Sequence, residues 1–86
     1  MCTYIVEKVK ISGSAKGRSG WFSSDEAVVS FDHPVHAMDD HTLNIDFLKS
    51  DGSPTDRVAL EIRPADALLL AKTILAVLEE APESLK

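Results

Sequence analysis

The segment FDHPVHAMDDH, residues 31–41, holds all three histidines of an 86-residue chain, His33, His36 and His41, together with Asp32, Asp39 and Asp40. Imidazole nitrogens are good ligands for borderline divalent cations. Three of them so close together, with a thiolate or carboxylate as a fourth ligand, point to a site for zinc, copper, nickel or ferrous iron. The spacing H-x2-H-x4-H matches no named zinc signature. A regular strand would also send His33 and His36 to opposite faces, so convergence of all three requires Pro34 to end or bulge the strand. Histidine beside aspartate has a plainer use as well, as a hydrogen-bonded residue at a strand end.

The elements that must position these side chains follow from periodicity. Residues 3–11, TYIVEKVKI, put Ile5, Val9 and Ile11 on one face, with Glu7 intruding among them. Residues 27–35 align Val29, Phe31, His33 and Val35; residues 41–48 align His41, Leu43, Ile45 and Phe47; residues 57–63 align Val58, Leu60 and Ile62. Each strand therefore has one largely apolar and one largely polar face, the pattern of a half-solvated antiparallel sheet. Pro64 suits a first helical position, Asp66 favours the positive end of the helix dipole, and Pro82 closes a run of helix formers, so residues 64–81 are expected to form one helix. The fold class is α+β: a four-stranded antiparallel meander with a C-terminal helix packed on one face, in a single domain spanning residues 1–86.

A meander makes the site argument specific, because consecutive strands usually pair. The second strand ends and the third begins at one edge of the sheet, which brings His33 and His41 to the same face with His36 in the loop between them. The first strand starts at that edge, adding Cys2, and Glu7 falls about opposite Phe31, within conceivable reach of His33. Cys2 or Glu7 then completes the metal shell. A thiol, an imidazole and a carboxylate meeting at one edge also leave room for a nucleophilic triad, ranked behind the metal.

Composition narrows the partners. Nine Lys plus Arg against fourteen Asp plus Glu give a net charge of −5, which opposes non-specific attraction to nucleic acid. No apolar run is long enough for a membrane span, since Lys72 and Thr73 break ALLLAKTILAVL. A single cysteine and an opening without a leader pattern predict a cytoplasmic protein. The stretch SGSAKGRSGWFSSDE, residues 12–26, reads as a flexible basic loop in which Lys16, Gly17 and Arg18 could cradle an anion. A domain this small has a modest core, and the apolar arc of the helix exceeds what one sheet face needs, so a homodimer is expected.

The segments MCTYIVEKVKISGSAKGRSGW, AVVSFDHPVHA and HTLNIDF resemble a family of short bacterial proteins classed as a domain of unknown function, whose motifs include Cys2, His33, His36 and His41. The resemblance implies bacterial origin and a stand-alone domain, and no substrate. Two functional expectations stand side by side. One is a small metal-binding protein, with metalloenzyme chemistry open to a centre of this kind. The other is a metal-free homodimeric module that binds an anionic small molecule or a protein.

Overall fold

A computed structural model describes residues 5–86, and the meander is its architecture: β1 (Ile5–Gly17), β2 (Gly20–Asp32), β3 (Thr42–Leu48) and β4 (Arg57–Ile62) pair antiparallel in sequence order. The helix α1 (Pro64–Glu80) follows, and a short 3-10 turn η1 (Glu83–Leu85) ends the chain. The register aligns Ile5, Phe31, Leu43 and Ile62 across the four strands. The next rung of that face is Glu7, Val29, Ile45 and Leu60, and the third is Val9, Ala27, Phe47 and Val58. This inner face is apolar in eleven of its twelve positions, Glu7 being the exception. The outer face carries Lys8, Ser30, Asn44, Asp46, Arg57 and Glu61 among its residues, as the alternation predicts.

The first two strands are longer than expected. The region expected to be a loop at 12–26 is the distal half of one hairpin, with Gly17 opposite Gly20 and only Arg18 and Ser19 between them. Glycine is depleted in strands and serine favours turns, so apart from Trp21 and Phe22 this half carries little strand signal of its own. It is held by the ladder and by the turn, where Gly20 takes φ +110°, a conformation that favours glycine. Between Lys10 and Gly13 the register shifts: β1 advances three residues while β2 advances two, from Glu26 to Ser24. Such a bulge bends the strand and sharpens its twist. The hairpin tip thereby curls round to the start of β4, where a Cβ on Gly17 would lie 3.0 Å from the Thr55 carbonyl oxygen and 3.2 Å from that of Arg57. Glycine at 17 is a close-approach residue.

At the other end, β2 stops at Asp32 rather than at residue 35. Proline at 34 has no N–H to give to a ladder, and the Asp32 carboxylate accepts the His33 N–H instead, at 2.7 Å. The helix begins as the sequence predicts, with Pro64 at its first turn and the Ala67 N–H donating to the Arg63 carbonyl. It lies against the inner face but leaves a groove of about 400 Å³ between Val29, Phe31, Leu43, Ile45 and Ile62 on the sheet and Pro64, Ala67, Leu68, Leu70, Ala71 and Ile74 on the helix. No helix residue is buried. The fold is correspondingly drawn out, 47 × 31 × 19 Å with a radius of gyration of 14.4 Å, where about 12 Å is typical of a chain this long.

Candidate functional site

The segment 33–41 crosses the end of the sheet between β2 and β3, and three ties decide where its side chains go. The Glu61 carboxylate on the outer face of β4 accepts three consecutive backbone N–H groups, from Val35 at 2.6 Å, His36 at 3.0 Å and Ala37 at 2.9 Å. Successive amides converging on one carboxylate form an anion-binding nest filled from within the chain. The N–H groups of Val35 and Ala37, with that of His36, hold the Glu61 carboxyl below the usual glutamate range. The Arg63 Nε lies 3.4 Å from an Asp39 carboxylate oxygen, an exposed pair that ties the same loop to the β4–α1 junction. The third tie is the contact of His33 Nδ1 with the Asp40 carbonyl oxygen at 2.7 Å.

As the meander requires, His33 and His41 meet. Their rings stack with centroids 4.4 Å apart, and His41 stacks in turn on Phe31 at 5.5 Å with an interplanar angle of 9°. The pair prolongs the inner apolar face, since Phe31 is a wall of the groove. His36 goes elsewhere. With its backbone clasped by Glu61, it lines an outer-face cleft of about 460 Å³ with Val35, Ala37, Arg57, Ala59 and Glu61. Thr42 at the start of β3 is fully buried, and its hydroxyl donates to the Asn44 side-chain carbonyl at 2.6 Å.

This arrangement overturns the expected metal centre. Among the described residues no three His, Cys, Asp or Glu side chains are grouped so as to hold a metal ion. The physical reason is the Glu61 clasp, which draws residues 35–37 to the opposite side of the sheet from the His33–His41 stack. Glu7 is displaced too: it pairs with Val29, and Ile5 rather than Glu7 stands opposite Phe31. One rung of register therefore separates it from the position expected to reach His33. Cys2, the proposed thiol ligand, lies outside the described residues. The expected zinc, copper, nickel or iron cofactor is withdrawn with the ligand set that called for it.

Of the expected anion cradle, Lys16 lies in β1 opposite Trp21, Gly17 closes the ladder opposite Gly20, and Arg18 sits in the turn. Arg18 shares a shallow cleft of about 310 Å³ with Pro54, Thr55, Arg57 and Ala59. The Arg57 Nε and Nη2 both donate to one Asp46 carboxylate oxygen, at 3.1 and 2.8 Å.

Sequence reading passed over Glu61 as one more outward strand residue. Its signal was faint: a carboxylate three residues before the helix, on the polar face, at the end of the sheet where Pro34 interrupts pairing. A similar tie holds the opposite end, where the Asp25 carboxylate accepts the Ser50 N–H at 2.9 Å and its hydroxyl at 2.8 Å. Those bonds hold the Asp25 carboxyl below its usual range. The wide apolar arc of the helix allowed for a groove, but its apolar walls contain no residue that spacing rules single out.

No helix among the described residues is long and apolar enough to cross a membrane. No curated protein and no solved structure matches the chain. A family model does match, over residues 1–86, and the chain belongs to that family of unknown function (DUF6295).

Proposed function

We propose that the protein is a binding module that works as a homodimer, with the groove and the apolar arc of α1 as its assembly surface. One observation carries this reading: among the described residues Ala27, 6% exposed, is the sole buried hydrophobic residue, while Ile74 and Leu75 on the arc are 51% and 67% exposed. A fold cannot be stabilised by a core it does not close, because hydrophobic burial is the main term opposing chain entropy.

Surface area supports the same conclusion. The chain exposes 6841 Å², against about 5,000 Å² for a compact monomer of 9.4 kDa. Residues 1–4 account for at most roughly 700 Å² of the difference, even at the surface of a fully extended chain. An excess of about 1,000 Å² or more per chain remains, so a dimer that buries it from both copies reaches the range of obligate homodimers, about 2,000 Å² and above.

Sedimentation equilibrium of the full chain tests the proposal. The expected mass is that of two chains, persisting on dilution into the nanomolar range; a folded species of single-chain mass throughout would end it.

A further inference from the structure

The homodimer leaves open which surfaces meet, and two uncovered surfaces of the same chain match in chemistry. The first is the distal half of α1. A helix of seventeen residues is about 25 Å long, yet the groove uses only positions from Pro64 to Ile74. At about 100° per residue, Leu75 and Leu78 continue the arc of Ala67, Ala71 and Ile74 beyond it, and they are 67% and 53% exposed. The second is the β1 side of the inner face. Ile5 and Val9 share that face with Val29 and Phe31 and stay 60% and 50% exposed, since the helix lies over β2, β3 and the end of β4.

We propose, resting on the homodimer reading above, that the distal half of each helix lies across the β1 side of the other copy's inner face, with Leu75 and Leu78 over Ile5 and Val9. One rotation satisfies both copies: each supplies a helix end and receives one, and the two-fold closes without leaving a surface on which further copies could add. Sheet-on-sheet stacking would leave the helix ends uncovered, and pairing of the helices alone would leave Ile5 and Val9 in water.

Charge fits the same seat. Glu7 is the single charge among the twelve positions of the three inner-face rungs, and it makes no ion pair among the described residues. Lys72 is the one cation of α1, and it too makes no ion pair among them. On the helical wheel Lys72 flanks the apolar arc beside Leu68 and Leu75, where a helix lying over β1 brings it to Glu7 of the other copy.

The experiment uses two full-length chains of different tagged mass on a Cys2→Ser background, one with Val9→Cys and one with Leu78→Cys. They are unfolded together, refolded and oxidised. The expected product is the mixed disulfide between the two chains. Predominance of a disulfide between two copies of the same variant, or no disulfide at all from a sample that sediments as a dimer, overturns this seat while leaving the homodimer standing. A single-chain mass for the unmodified protein would overturn the homodimer itself. As an independent measure, Glu7→Lys is expected to weaken dimerisation about tenfold or more by placing like charges together, and Lys72→Glu in the same chain to restore it. Absence of restoration overturns the seat.

Discussion

The two ends of the inner face differ in how completely the chain satisfies itself. At the loop end, His33, His36 and His41 are held by contacts from the chain's own groups: a nest on Glu61, a ring stack on Phe31 and a tie to the Asp40 carbonyl. At the groove and the distal helix, large apolar side chains stay partly or largely exposed among the described residues. The residues with the most conspicuous chemistry are thus already engaged, and those with none are left wanting a partner. Polar groups can be satisfied locally because hydrogen bonds are directional and one carboxylate can serve several amides. Apolar burial needs area, which a sheet and one helix of this size do not supply.

The largest expected effect tests the incomplete side of that contrast. Ile74 lines the groove and is 51% exposed. In an isolated chain Ile74→Asp would cost about 1 kcal/mol, the common size for a substitution at a half-exposed site. In a dimer that buries the site it leaves an unpaired charge without water, which costs about 3 kcal/mol or more and lowers the melting temperature by roughly 10 °C or more. Thermal melts read together with the solution mass decide between the two. A fall of only about 5 °C with a single-chain mass would place the groove in solvent.

An intermediate effect is expected at the satisfied end. Glu61→Gln replaces a carboxylate by an amide with one accepting oxygen, so the Val35, His36 and Ala37 amides are expected to exchange hydrogen faster while β2 and β3 keep their protection. Acid acts on the same clasp with a definite sign. The Glu61 carboxyl is held below its usual range, so its contribution is complete above the ordinary glutamate value, about pH 4.3, and is lost as pH falls through the lower folded value. Loop amides whose protection, corrected for intrinsic exchange, ignores that titration would show that the carboxylate is not what holds them.

The smallest effect concerns the histidines as ligands. With His36 drawn to the outer face, melting curves recorded with and without a strong chelator are expected to superimpose. A chelator-dependent fall in Tm, with stoichiometric metal in the untreated protein, would reverse the contrast between the two ends.

Much of the fold was legible in the letters. Alternation in 27–35, 41–48 and 57–63, with Pro64 and Pro82 bracketing the helix, predicts the meander and the helix, and the meeting of His33 with His41 follows from strand order alone. The expectation failed where side chains or backbone answer to distant partners. Residues 12–26 pair as strands because the ladder and a two-residue turn hold them, against their own weak preference. His36 leaves its neighbours because Glu61, twenty-five residues away, claims its backbone.

The sequence by itself determined the elements, their order and which residues share a face, because periodicity and turn chemistry are local properties of the chain. Only the tertiary structure decided that a cluster contiguous in sequence is divided between two sides of a sheet, and that the helix covers just part of the face it was expected to close. Both outcomes depend on distances between residues far apart along the chain, and on how much surface one small sheet and one helix can hide from water.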